Sequence, residues 1–271
     1  MPSGSTNLPT KQSRRFPWRV FCLLLVASLA GAAAAIPLVF EVFRPLIRSA
    51  PLPISLPLLI VVGIAQNAML LGLVIGLGLL LGRKLGLGAP LLESWLYDEK
   101  PPINARGSLK LGALVGIVVG IVLLIALLIA APHLPGLPFV TEARAALWKR
   151  VLVCFYGGID EEILTRLFLL TVIAWLGARI FQRQKARLSP ATFWVANIIA
   201  AILFGLGHLP NASMVMHITP TVVALALALN GVAALAFGYL YWKRGLESAI
   251  IAHFCADFVI YVVGPAFLKT G

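Results

Sequence analysis

The chain has 271 residues, of which 60% are hydrophobic and 12% charged, with a mean hydropathy of +0.97. Soluble domains run nearer 45–50% apolar and about 25% charged, so lipid is the solvent for much of this sequence. The net charge is +12, but the basic residues sit in short clusters between apolar runs, and no basic-aromatic surface pattern accompanies them; this argues against nucleic acid as a partner.

Residues 1–16 are polar, carry Lys11, Arg14 and Arg15, and read as a disordered basic tail. An apolar run follows over 20–40. It exceeds the roughly 7–15 residues of a signal-peptide core, so it reads as a retained first span. Further runs near the roughly 20 residues a membrane crossing needs cover 58–81, 111–131, 152–178, 191–208, 221–242 and 249–268. The sequence predicts an all-α, polytopic transmembrane helix bundle of seven spans, or eight if 147–158 is a separate short helix. The longest connection, 83–110, contains a mildly amphipathic stretch at 91–97 that suits the interface. The three cysteines, Cys22, Cys154 and Cys255, form no CxxC spacing and read as small buried side chains. There is no internal repeat.

With the N-terminus inside, the inside segments carry 15 basic residues and the outside segments 6. The bias predicts a cytoplasmic N-terminus, and the expected setting is a multi-pass protein of a prokaryotic plasma membrane.

A charge at the bilayer centre costs about 2.5–3.5 kcal/mol on insertion scales. The first three predicted spans carry none, whereas the fourth holds Asp160, Glu161, Glu162 and Arg166 within seven residues. At about 100° per residue, Glu162 and Arg166 share a helix face, and Glu161 lies about 140° from Arg166. Glu161 is therefore the carboxylate that the arginine does not neutralise, suited to general acid–base work. The fifth span ends on Phe204-Gly-Leu-Gly-His208. The last carries His253 and Asp257, whose i, i+4 spacing puts imidazole and carboxyl on one face. Such groups also serve proton relays, so a transporter or proton-relay protein is the alternative to an enzyme.

These motifs resemble those of the CAAX prenyl protease and bacteriocin-processing (CPBP, or Abi) family. Glu161-Glu162-Ile-Leu-Thr-Arg166 looks like its EExxxR, Phe204 to His208 like its FxxxH, and His253 to Asp257 like its HxxxN/D. Residues 237–250 resemble the family's segment before the last histidine. The resemblance covers about 150–262 and divides the chain into the tail (1–16), N-terminal transmembrane helices and loops (17–150) and a catalytic helical core (151–271).

The resemblance implies an intramembrane endopeptidase acting on a peptide or membrane-protein substrate. It implies that Glu161 activates water, that His208 helps hold that water, that His253 and Asp257 stabilise the oxyanion, and that Glu162 and Arg166 support the site. Where many family members carry Asn, this chain has Asp257, which donates a hydrogen bond only when protonated and suits orienting His253 instead. No HExxH is present. A cofactor-free, glutamate-dependent reaction is favoured, with a zinc-type divalent metal on Glu161, His208 and His253 as the metalloprotease alternative. One tension stands: with these boundaries the two histidines differ in depth by roughly 20 Å.

Overall fold

The computed structural model describes residues 15–43, 55–134, 136–181 and 188–268. Nearly all of the expected basic tail, residues 1–14, lies outside the described residues, as do Arg44, Arg48, Arg183, Lys185, Arg187 and Lys269 from the topology count.

Helix α1 runs Trp18–Val42 and α2 Leu56–Leu85. The short α3, Pro90–Leu96, occupies the stretch expected at the interface. Helix α4 spans Ala105–Ala130 and starts where the Asn104 side-chain oxygen Oδ1 accepts the Gly107 N–H at 2.9 Å, the N-cap contact that satisfies a free helix-end donor. After the short α5, Pro138–Glu142, comes α6, Leu147–Tyr156. It continues without a break through two π-helical stretches, Gly157–Glu161 and Ile163–Leu170, into α7, Thr171–Phe181. Helix α8 is Pro190–Gly207, α9 Leu209–Ser213 and α10 Pro220–Arg244. Helix α11, Leu246–Asp257, passes into a π-helical stretch over Phe258–Val263.

Among the described residues, 7 stretches are long and apolar enough to cross a membrane: Trp18–Val42, Val61–Leu85, Ala105–His133, Leu147–Phe181, Pro190–Ser213, Pro220–Arg244 and Leu246–Phe267. Segment 147–158 is not an eighth span, because it is the first part of the fourth. That span has 35 residues, about 50 Å if it were straight α-helix, against a hydrocarbon core of about 30 Å. It must tilt or project from the membrane. The outward faces are apolar: Met69 is 74% exposed, Ile129 66% and Val195 58%. The buried set instead contains Glu162, Arg166, Asn197, His253 and Asp257. A polar interior behind an apolar exterior belongs to a chain dissolved in lipid, so this is an integral, multi-pass membrane protein. Cys22 departs from expectation: it lies on the exposed face of α1, whereas Cys154 is buried.

Helix α11 packs along α4, and the contact is set by a stripe of small residues. A Cβ on Gly112, Gly116 or Gly120 would fall 2.6, 2.1 or 2.9 Å from the backbone of Ser248, Ala252 or Ala256. Without a solvent-driven hydrophobic effect between helices in lipid, such close backbone approach supplies the packing. It sets the depth and rotation of the helix that carries His253 and Asp257.

Candidate active site

The fourth span places Glu161, Glu162 and Arg166 where the helix widens to π geometry, a local distortion that recurs at functional sites. Glu162 and Arg166 are both fully buried, and Glu162 Oε2 lies 3.1 Å from Arg166 Nε. The sequence-predicted pair forms. The guanidinium also lies between the rings of Phe204 and Phe237, 5.3 and 5.7 Å from their centroids, in the geometry of cation–π attraction. Its Nη1 donates to Thr165 Oγ1, whose hydroxyl in turn donates to the Glu161 carbonyl. Arg166 is thus held by a carboxylate, a hydroxyl and two ring faces.

His253 comes to the same place from the seventh span. Its Nδ1 lies 2.7 Å from Glu162 Oε1. Since Glu162 is an acceptor when ionised, Nδ1–H donates to it. The second ring nitrogen, Nε2, lies 3.7 Å from Glu161 Oε2 and 3.7 Å from Asp257 Oδ1. Both separations exceed hydrogen-bond reach, so Nε2 faces a gap flanked by two carboxylates. Glu162 holds the ring by hydrogen bond at Nδ1, and Asp257 stands beside the other ring nitrogen. Close approach of the two helices depends on Gly157, where a Cβ would lie 1.9 Å from Asp257 Oδ2 and 3.3 Å from His253 Nε2. Glu161 stays the more accessible glutamate, its side chain 22% exposed against 0% for Glu162.

His208 sits at the C-terminal end of α8, half-buried, with Nδ1 2.9 Å from the Phe204 carbonyl oxygen. That bond places the proton on Nδ1 and leaves Nε2 as an acceptor. The Phe204 ring stands edge-on to both histidines, 4.7 Å from His208 and 6.4 Å from His253 between centroids. Those two steps bound the separation of the imidazoles at about 11 Å, so the 20 Å depth gap expected from the sequence does not exist. One cause is a boundary: the last helix starts at Leu246, not 249, which carries His253 deeper by about one turn. Phe204 thus stands between His208 and the cluster as the shared ring contact. Among the described residues, no three His, Cys, Asp or Glu side chains gather in a metal-holding group. Glu161, His208 and His253 as they stand do not fit a shared three-ligand metal site.

Several supporting groups surround these residues. Phe237 covers Arg166 and lies 5.2 Å from the His253 ring. Thr171 Oγ1 is 3.0 Å from the Arg166 carbonyl oxygen and 2.9 Å from Tyr241 Oη. It thereby ties the widened helix to α10. Asp160 is buried against α1, beside Gly31 and Ser28. Asp160 already stood in the acidic cluster of the sequence, whereas Phe237, Thr171 and Tyr241 meet the site through helix packing.

Residues 143–259 match the family model described as type II CAAX prenyl endopeptidase Rce1-like. No curated protein matches the chain, and no solved structure does. The matched segment contains all six residues of the candidate site.

Proposed function

Because residues 143–259 belong to the CAAX prenyl protease and bacteriocin-processing family, we propose that this protein is an intramembrane endopeptidase of the CAAX type. Its substrate is a peptide or membrane-protein segment presented at the bilayer. The observation that carries the reading is the gap in front of His253 Nε2, bounded 3.7 Å away by Glu161 and by Asp257. A water in that gap meets one accessible carboxylate and one ring nitrogen.

In the proposed reaction Glu161 takes a proton from water as its oxygen attacks the scissile carbonyl carbon. The carbonyl electron pair becomes an oxyanion. His253, in its doubly protonated form, donates from Nε2 to that oxyanion while Nδ1–H stays on Glu162. Glu161 then returns its proton to the leaving amine as the C–N bond breaks. Arg166 pairs with Glu162 and holds it in place, so Glu162 and Arg166 are positioning residues. Asp257 borders the developing charge and contributes as a donor in its protonated form. His208, with Nε2 available, helps hold the incoming water or the substrate backbone. No step is routed through a metal, since the described residues form no metal-holding group. The family match does not favour the carrier reading.

The test is cleavage of peptides with prenylated and unprenylated C-terminal cysteines by the purified protein in lipid. The wild type cuts, Glu161→Gln loses at least the 10²–10⁴-fold that a positioned general base contributes, and a chelator leaves the rate unchanged. Full activity in Glu161→Gln overturns the glutamate mechanism. A chelator-sensitive rate restored by added zinc replaces it with a metal-dependent one.

A further inference from the structure

At the end of the bundle that carries the N-terminal residue of α1, the structure forms an open cavity of about 1480 Å³. None of the six candidate site residues lines it. Its rim is formed by the start of α1, the end of α2, α3 and the end of α10. Glu247 seats α3 across this end, its Oε1 accepting the Leu91 and Leu92 N–H groups at 2.9 and 2.8 Å.

The charge around this cavity is one-sided. Arg15, Arg19, Arg83, Lys243 and Arg244 line it, against two carboxylates, Glu93 and Glu99. Two of the cations are oriented by neutral groups. Arg19 Nη1 donates to the Leu96 carbonyl at 2.8 Å, and Arg83 Nη1 donates to the Arg15 carbonyl. Carbonyls fix a guanidinium without cancelling its charge. The Arg83–Glu93 pair is loose, at 3.9 Å. Burial pushes the Glu93 carboxyl above its usual range, further weakening it as a counter-charge. The whole end is basic: among the described residues it carries Arg15, Arg19, Arg83, Lys84, Lys100, Arg106, Lys110, Arg179, Lys243 and Arg244, whereas the other end carries Arg144, Lys149 and Arg150.

The cavity also stands at headgroup level. Trp18, Trp242 and Tyr97 line it, and aromatic side chains of this kind mark the membrane–water interface. Lys243 Nζ lies 3.3 Å from the Trp242 ring centroid, and the Arg19 guanidinium is 5.6 Å from that of Tyr97. Basic pockets between span ends are suited to lipid phosphates, which the cations of the cavity attract by their charge.

We propose that this cavity binds the phosphate headgroup of an anionic membrane lipid, with Arg19, Arg83 and Arg244 as its phosphate-binding side chains. A zwitterionic lipid would leave the excess positive charge unmet. The site lies at the basic end of the bundle, so it also anchors the protein to one leaflet.

The experiment uses the full chain in bilayers of equimolar phosphatidylglycerol and phosphatidylcholine, with the lipid retained after extraction identified by native mass spectrometry. The wild type retains phosphatidylglycerol preferentially. The double variant Arg19→Gln/Arg244→Gln loses that preference roughly twenty-five-fold, about fivefold per cation removed near an anionic surface. Arg19→Lys/Arg244→Lys keeps most of it, which separates lost charge from lost folding. Arg106→Gln/Lys110→Gln, removing two exposed cations at the same end but outside the cavity, keeps it fully. Equal retention of both lipids by the wild type, or equal loss in the two glutamine pairs, overturns the proposal. Inorganic phosphate alone is the competing arm: if it displaces the lipid at millimolar concentration, the ligand is a free anion and the lipid assignment fails.

Discussion

Glu162 holds His253 across two spans, Oε1 to Nδ1 at 2.7 Å, while its other oxygen faces Arg166 at 3.1 Å. One buried carboxylate therefore fixes both an imidazole from the seventh span and a guanidinium on its own helix. Charged groups in a low-dielectric interior persist only when paired in this way. The consequence for the site is a division of labour: Glu162 is committed on both oxygens, and the neighbouring Glu161 is left facing the gap at His253 Nε2.

Replacing Glu162 tests that division. Glu162→Ala leaves Arg166 buried without its carboxylate, and breaking a buried pair on one side costs about 3–5 kcal/mol. We expect a large fall in thermal stability in detergent together with loss of peptidase activity. Glu161→Gln, whose target is not in the pair, should lose activity with little change in melting temperature. Equal destabilisation by the two substitutions would contradict the assignment.

The α4–α11 contact supplies a second prediction. A side chain at Gly116 collides with the Ala252 carbonyl, which as backbone cannot give way. Gly116→Leu should cost about 1–3 kcal/mol or more of overpacking strain and reduce turnover by shifting His253 and Asp257. Gly63→Leu is the control, since nothing lies within 4 Å of that position; it should leave stability and activity near wild type. Proteolysis rates of the two variants, measured at equal protein, decide the matter.

The first span reaches the helix that carries Glu161 through Gly31. A Cβ there would stand 2.2 Å from Asp160 Oδ2, and Asp160 is 1% exposed and adjoins Glu161. Gly31→Ala should lower activity by pushing Asp160 and its helix aside. Adding Asp160→Ala removes the colliding atoms, so the double variant should be more stable than the sum of the single effects predicts. A double-mutant cycle with no coupling between the two sites would show that the contact does not transmit.

Glu142 gives a pH signature outside the spans. The α5 carboxyl is half-buried at the other end of the bundle, and burial raises it from 4.5 to about 7. A raised folded value means that the folded state holds this proton more tightly than the unfolded one. The resulting stability is complete below about 4.5 and is lost as the pH rises through about 7. Glu142→Gln cannot ionise, so its melting temperature should gain on wild type between pH 5 and pH 8. A constant difference across that range would place the carboxyl in ordinary solvent.

Much of the molecule is readable along the chain because lipid imposes a local rule. Apolar runs of span length predict the helices, and the 35-residue fourth span was ambiguous only as to whether its first turns were separate. The pairs at i, i+4 are also local. Glu162 with Arg166 and His253 beside Asp257 both follow from helical repeat, and both are found on shared faces. The family motifs lie in order within the matched segment.

Tertiary structure decided which of these groups meet. Helical spacing pairs His253 with Asp257, yet its hydrogen-bond partner is Glu162, 91 positions away in sequence. That contact depends on α4's glycine stripe, which brings α11 in, and on Gly157, which leaves room for Asp257 and the imidazole. It depends also on the π-helical widening, which changes the angular spacing of Glu161, Glu162 and Arg166 from the ideal helix assumed in reading the chain. Hydropathy and i, i+4 spacing are properties of one helix in lipid. The rotation, depth and separation of two helices are properties of their packed surfaces, and side-chain volumes far apart in the sequence determine them.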